Sequence, residues 1–509
     1  MKNLKYFVFT AAVCIFTLFI LFSCSGGADG VNPMLNEPDT LSAEEDVISP
    51  ADETEPEKAE YMGYIFPGVD YGGYEFKILN FEVQSWAYTV MAVEEQTGEV
   101  IDDAIYMRNA AVEETLNIKI NDIRVTWGGM SSQINNSVRA GSNDYDIALL
   151  NAYESGNLAQ RGTFLNLNDI PALNLDEPWW DQNANETLEV AGKLYFTTTD
   201  ASVFTYDLMA IMYFNKQMHE NLALENIYNL VHEGGWTMDK LFEMMRAAAR
   251  DTDGDGVFTF ADTWGLSTHA VQNAHFFTGG NMVLVEKDNN GYPVLLEPGD
   301  RFVSVYAKVR EIFNLSDTTG YFISAGSNEG GISGKTPELE NPIMFFMADR
   351  ALFAGEVLSW ARGMRESEKD FGIIPHPKYD VAQDSYYALM DANFPTLTIP
   401  VTQDNPEMTG VIMNALTAVS STTLKPAYYD VTLNSKLLRD EESVAMLDIA
   451  LENRVYDLAM IYGWGDLSTQ LRRANFASTG ENPITVFDRY ADRTRTAIER
   501  MAEDFDAID

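Results

Sequence analysis

Cysteine is nearly absent from this chain: its 509 residues contain two, Cys14 inside an apolar run and Cys24 just after it. Beyond Cys24 there is no thiol, which excludes disulfide staples, cysteine nucleophiles, zinc–thiolate sites and iron–sulfur clusters. Basic residues are scarce too. Thirty-four Lys and Arg stand against 77 Asp and Glu, a formal net charge of −43. No basic stripe is present, so nucleic acid is not expected as a partner. The acidity favours neutral or cationic ligands over anions. Of the five histidines, His269 and His275 stand six apart, which is not a helical ligand spacing. There is no His-Glu-x-x-His, no Gly-x-Ser-x-Gly elbow and no Gly-x-x-x-x-Gly-Lys-Ser/Thr phosphate loop. Among 77 acidic residues a catalytic carboxylate pair cannot be singled out. The expectation is a protein that is not an enzyme. No fixed-period repeat appears, which argues against solenoids and propellers.

What is present begins with a leader. Lys2 and Lys5 precede a sixteen-residue uncharged run from Phe7 to Phe22. A spanning helix needs about 20 apolar residues, so the run reads as a signal sequence. Leu21-Phe22-Ser23-Cys24 resembles a lipobox, where lipoprotein signal peptidase cuts before a cysteine that carries lipid, although Phe22 is bulkier than usual there. The resemblance implies a leader over 1–23, lipid on Cys24 and an extracytoplasmic protein anchored to the cell membrane. An ordinary signal peptide cut nearby is the alternative. From Val31 to Glu60 the chain has ten acidic residues, one lysine, four prolines and no aromatic side chain. Such a segment cannot bury enough apolar surface to offset its ordering entropy, so 24–70 reads as an acidic tether. About 440 residues remain, ample for two domains.

Beyond Tyr71, short apolar runs alternate with helical periods. Glu75 to Asn80 reads as a strand, and Ile101, Ile105, Val112 and Leu116 fall on one helical face that Asn117 ends. Ile118-Lys119-Ile120 and Tyr145 to Leu150 read as further strands, the rhythm of a βαβ sheet. Thr237 caps a helix with Leu241, Met244 and Met245 on its apolar side.

Several segments in order resemble one family. They are the lipobox, the strand at Phe76–Leu79 with the helix from Ala104 to Glu114, Tyr145-Asp146-Ile147, Gly192-Lys193-Leu194-Tyr195 and Tyr213-Phe214-Asn215-Lys216. Gly235-Trp236-Thr237, Asp253-Gly254-Asp255-Gly256 with Asp262-Thr263-Trp264-Gly265, and Ala351 to Glu356 before Trp360 follow. Together, from about Gly73 to Trp464, the chain resembles the extracellular solute-binding proteins of ABC transporters, particularly those that bind sugars. The resemblance implies an α/β fold of the two-lobed, type II periplasmic-binding-protein kind with discontinuous lobes. One lobe would take 71–199 and 371–423, the other 200–370 and 424–509. Hinge crossings would fall near Thr198–Asp200, Asp370–Gly372 and Leu424. A monomer is expected that hands its solute to the membrane subunits of an ABC permease. A surface glycan-binding or sensor lipoprotein and a glycan-hydrolysing lipoprotein are the other readings.

Sugar rings offer C–H faces to aromatic side chains and hydroxyls to planar polar groups. In open α/β sheets ligands sit outside the carboxyl ends of strands. On that ground the candidate ligand residues are Trp86, Asp146, Asn151, Trp180, Asp200, Glu356, Trp360 and Trp464, the last because its flanking glycines free the indole to project. Each is weighed against packing in a core or an ordinary salt bridge. Separately, Asp251 to Asp262 fits a twelve-residue calcium loop. Asp251, Asp253 and Asp255 stand at positions one, three and five, with Gly256 at six, Val257 at seven, Thr259 at nine and Asp262 at twelve, where Glu is standard. The ion would be structural, and the alternative is a solvated Asp-Gly turn. No organic cofactor is expected.

Overall fold

Two β-sheets organise the computed structural model, which describes residues 63–508 except 85, 314–318, 325–340, 365–368, 434–440 and 478–479. The expected leader, Cys24 and most of the 24–70 tether lie outside the described residues. No helix among the described residues is long and apolar enough to cross a membrane.

The chain first runs through β1 (Tyr74–Phe81), α1 (Val100–Leu116), β2 (Ile118–Val125), α2 (Met130–Ala140), β3 (Ile147–Asn151), α3 (Ala152–Ala159) and α4 (Gln182–Leu188). Next come α5 (Phe204–Asp207), β4 (Ala210–Asn215), α6 (Lys216–Asn221), α7 (Ile227–His232), α8 (Met238–Ala248), β5 (Trp264–Ser267) and α9 (Asn273–Gly279). A hairpin of β6 (Val285–Lys287) and β7 (Pro293–Leu295) leads to α10 (Asp300–Ile312), β8 (Phe322–Ile323), α11 (Pro342–Met347), β9 (Ala351–Val357), α12 (Ser359–Met364) and β10 (Phe371–Ile374). The remainder holds β11 (Ala388–Leu389), β12 (Pro395–Thr398), α13 (Pro406–Thr422), α14 (Leu424–Leu433), α15 (Glu441–Glu452), β13 (Arg454–Val455), α16 (Leu458–Tyr462), α17 (Leu467–Phe476) and α18 (Pro483–Ala507).

The first sheet has the order β12-β3-β1-β2, and the second β10-β4-β9-β5-β8. In the first, β1 runs parallel to β2 and β3, and β12 is antiparallel to β3. In the second, β5 is parallel to β8 and β9, while β4 is antiparallel to β9 and β10. Strands covered on both faces read as unbroken apolar runs, and every residue of β3, β4 and β9 is buried. The helical face read from the sequence is real: Ile101, Ile105, Val112 and Leu116 of α1 are all buried, and Asn117 ends the helix at φ 49°. The Thr237 side chain accepts from the Lys240 amide at the start of α8, whose Leu241, Met244 and Met245 are buried.

Two passages between the sheets lie within the described residues, and both differ from the expected crossings; a third was also expected. The first leaves Thr197, which pairs with Leu397 of β12, and reaches Met209, which pairs with Met390. It therefore spans about ten residues rather than three, and α5 sits inside it. Arg108 of α1 fastens it, donating to the Ala201 carbonyl at 2.5 Å from full burial. The second was expected at Asp370–Gly372, yet β10 lies in the second sheet with Gly372 opposite Phe214. A Cβ on Gly372 would come within 2.2 Å of the Phe214 ring, so glycine is what lets the strand close on β4. The return to the first sheet falls between Met390 and β12. The third was expected at Leu424, but α14 packs on α1 and α13, and α15 packs on β10 and α7.

Candidate functional site

Side chains at the carboxyl ends of the two sheets meet around the first passage. Trp86 follows β1 and Trp127 follows β2; their rings cross edge to face at 4.9 Å, and Trp127 stacks on Phe81 at 4.3 Å. Phe204 of α5 completes the group, 5.8 Å from Trp86 and 6.3 Å from Trp127. Tyr88 lies beneath Arg362 of α12, whose guanidinium carbon is 5.5 Å from its ring. A loop after β1 and a helix after β9 thus touch across the two sheets. Asp207, fully buried, joins them: it pairs with Arg362, accepts the Tyr428 hydroxyl at 2.8 Å and accepts the Tyr88 amide. Burial pushes its carboxyl above the ordinary value, with Arg362 the main opposing influence.

Glu356 sits one residue from the end of β9 and is 3% exposed. Burial raises its pKa to about 8, against hydrogen bonding from the His269 amide, Gln272 and Thr268, with Asp391 adding to the rise. Its Oε1 has no partner in the protein. Trp360, half-buried, opens α12 directly beyond the strand. At the end of β3, Asn151 caps α3, accepting from the Glu154 amide at 2.8 Å and donating to Glu154 Oε2 at 3.0 Å. The next residue but one, Tyr153, is 51% exposed and is the aromatic group that this strand end presents.

The eight candidate ligand residues therefore divide. Trp86, Asn151, Glu356 and Trp360 stand at carboxyl ends of strands. Asp200 lies in the first passage, ion-paired with Lys425 at 3.2 Å. Asp146 is at the amino end of β3. The apolar strand does demand a partner for it, and the protein supplies three: the Tyr74 hydroxyl at 2.7 Å, the Lys77 amide at 2.6 Å and the Gln403 amide at 2.6 Å. Trp180 is buried with its indole N–H on the Leu173 carbonyl at 2.9 Å. Trp464 is also buried, stacked on Tyr462 at 4.7 Å with the ring planes 4° apart. Its glycines do not free the indole: Gly465 has φ 57°, and a Cβ there would lie 2.2 Å from Thr494, so the residue admits α18. The sequence reading omitted Tyr88, Trp127, Tyr153, Phe204, Asp207 and Arg362. Trp127 and Tyr153 follow strand ends and were open to the same rule, whereas Asp207 and Arg362 are 155 residues apart in sequence.

In the proposed calcium loop, Asp251, Asp253 and Asp255 each offer an oxygen, all within 4.8 Å of one another. These hard oxygen donors suit calcium. The twelfth position behaves otherwise. Asp262 is fully buried and accepts the Thr252 amide at 2.7 Å, the Thr259 amide at 2.7 Å and the Thr259 hydroxyl at 3.0 Å. The short Asp side chain ties the two ends of the loop together and engages Thr259 as well, and the Val257 amide donates to Asp255 at 2.7 Å.

Comparison with known proteins accords with this architecture. An ABC substrate-binding protein from Listeria monocytogenes, solved with cycloalternan, is 12% identical, covering 84% of this chain and 99% of its own at a TM-score of 0.52. The maltose/maltodextrin-binding domain from Bdellovibrio bacteriovorus, bound to maltotriose, is 13% identical over 84% of this chain and 100% of its own, with a TM-score of 0.51. The GacH receptor of Streptomyces glaucescens, solved unliganded and with acarbose, is 13% identical over 85% and 99%, with a TM-score of 0.52. No match was found among curated proteins by sequence. At these identities the likeness is one of fold, the type II periplasmic-binding-protein architecture. The family model for bacterial extracellular solute-binding proteins matches residues 107–428, more than half of the sequence, and the chain belongs to that family.

Proposed function

We propose that the protein captures a mono- or oligosaccharide between two rims, the carboxyl ends of the two sheets, and delivers it to an ABC permease, performing no chemistry on it. The observation that carries this reading is the composition of the rims. The strand ends carry the indole and phenol rings of Trp86, Trp127, Tyr153 and Trp360, and β9 carries near its end the buried Glu356, whose Oε1 lacks a partner. Aromatic faces receive sugar C–H groups, and a buried unpaired oxygen is satisfied by a hydroxyl. The saccharides bound by the neighbours named above point the same way. Both lobes contribute contacts only when they are together, so solute binding favours the closed form that the permease accepts. Lipid on Cys24 and the acidic tether hold this monomeric body outside the cytoplasm. Calcium on Asp251, Asp253 and Asp255 stiffens a turn and takes no part in the cleft.

A thermal-shift panel of mono- and oligosaccharides tests the reading. Stabilisation by a subset of neutral sugars is expected. A panel in which none raises the melting temperature would rule sugar out and redirect the search to peptides and other solutes. Release of reducing ends from an oligosaccharide would instead establish the hydrolytic alternative.

A further inference from the structure

Away from the rims, a groove of about 570 Å³ lies between α4 and the strand β6. That volume is within the range of roughly 300–1,000 Å³ typical of small-molecule sites. One wall is α4, with Asn183 and Thr187; the other carries Asn281, and Met282 and Leu284 supply its apolar surface, with Tyr387 also in the lining. The walls belong to different sheets. Asn185 of α4 accepts the Thr197 hydroxyl at 2.5 Å, and Thr197 pairs with β12 of the first sheet. The opposite wall follows α9, which the chain enters from β5 of the second sheet. They already touch: Lys287 donates to the Glu186 carbonyl, Asn183 donates to the Arg454 carbonyl, and Asp181, at the start of α4, pairs with Arg454 at 2.8 Å and accepts the Tyr456 hydroxyl at 2.6 Å.

We propose that this groove is a second binding site, for a neutral polyhydroxylated molecule of mono- to disaccharide size, and that its occupancy is coupled to movement of one sheet against the other. Amide and hydroxyl groups can both donate and accept, which suits hydroxyls. Met282, Leu284 and the Tyr387 ring receive C–H faces. Anions are disfavoured, because Glu186 and Glu286 line the groove and its single lysine, Lys287, is engaged by the Glu186 carbonyl. The coupling follows from the walls' attachments. Rotation about the passages changes the groove's width, so a molecule held by both walls prefers one width and shifts the equilibrium between arrangements. By linkage, a solute between the rims and a molecule in the groove alter each other's affinity.

Saturation-transfer NMR with maltose as probe tests the site on the wild-type protein, Trp360→Ala and Thr187→Trp, the last placing an indole in the groove. Transfer is expected to persist in Trp360→Ala and to fall several-fold in Thr187→Trp. Asn183→Ala and Asn281→Ala, which remove polar groups without adding bulk, are expected to weaken it too and guard against misfolding of the tryptophan variant. Transfer abolished by Trp360→Ala but untouched by the groove variants would overturn the groove site while leaving the rim reading intact. The reverse pattern supports the groove and counts against the rims. Small-angle scattering of Trp360→Ala and of Trp360→Ala/Thr187→Trp, each with and without maltose, tests the coupling: a radius of gyration that maltose changes in the first and not in the second is expected, and the same response in both overturns it.

Discussion

The hydroxyl of Tyr428, on α14, donates to the buried carboxylate of Asp207, on α5, at 2.8 Å, and the other oxygen of that carboxylate holds the Arg362 guanidinium. Helices that pack against different sheets are thereby fixed to the first passage by one side chain. Removing one partner of a buried ion pair leaves an uncompensated charge and costs about 3–5 kcal/mol. Arg362→Ala is expected to lower stability by about 3 kcal/mol, since its guanidinium is partly solvated. Asp207→Asn in the same chain should restore part of the loss. Equilibrium denaturation of the two single variants and the double variant measures this, and strict additivity would show that the groups do not interact.

Two tryptophans separate binding from packing. Trp360→Ala is expected to weaken saccharide binding about tenfold, roughly 1.4 kcal/mol, with little change in unfolding. Trp464→Ala should do the opposite, costing about 3–5 kcal/mol of stability through the cavity it leaves. Titration calorimetry beside thermal unfolding distinguishes the two, and equal effects on binding would remove the distinction.

His275 and His376 are fully buried, 5.2 Å apart, and neither ring nitrogen of His275 has a hydrogen-bond partner. Burial depresses His275 from 6.5 to about 3. Between those values the unfolded chain binds the proton and the folded one does not, so stability is present above pH 6.5 and is lost as pH falls towards 3. His275→Phe should flatten this acid-side loss, read as the unfolding midpoint between about pH 6.5 and 4.5. An unchanged slope would mean that other groups carry the acid sensitivity.

Glu356 acts in the opposite sense. Its folded pKa of about 8 lies above its ordinary 4.5, so the folded state holds a proton that the unfolded state releases, and stability falls as pH rises through that window. Glu356→Gln, neutral throughout, is expected to be more stable than the wild type at pH 8 and closer to it at pH 4.5. Denaturation curves at both pH values decide it, and a variant equally affected at both would deny that the side chain titrates in this range.

If the loop holds calcium, excess chelator should lower the melting temperature of the wild type and leave Asp251→Asn/Asp253→Asn unmoved. Asp262→Asn, by contrast, should destabilise with or without the ion, because Asp262 binds the loop's own amides. No chelator effect on the wild type would leave the solvated turn as the account of these residues.

Much of the architecture was legible because it depends on local properties. The thiol-free body, the charge balance, the α1 face and its Asn117 terminus, the β1 and β3 runs and the Thr237 cap all follow from residue type and spacing, which act over a few residues. The order of the segments carried the family in the same way. Residue type alone could not say where an apolar run pairs. Phe371–Ile374 reads equally well beside either sheet, and the contact of Gly372 with Phe214 decides for the second. Residue type was also silent on which end of a strand a carboxylate occupies, which separates Asp146 from Glu356. It was silent again on whether a glycine frees a neighbour or admits another helix, as at Gly465. The Asp207–Arg362–Tyr88–Tyr428 junction and the groove between α4 and β6 belong wholly to the tertiary structure. Each is assembled from segments far apart in sequence, Asp207 and Arg362 by 155 residues and Glu186 and Lys287 by 101, brought together by burial of the two sheets around their connecting passages, and no local pattern encodes that distance.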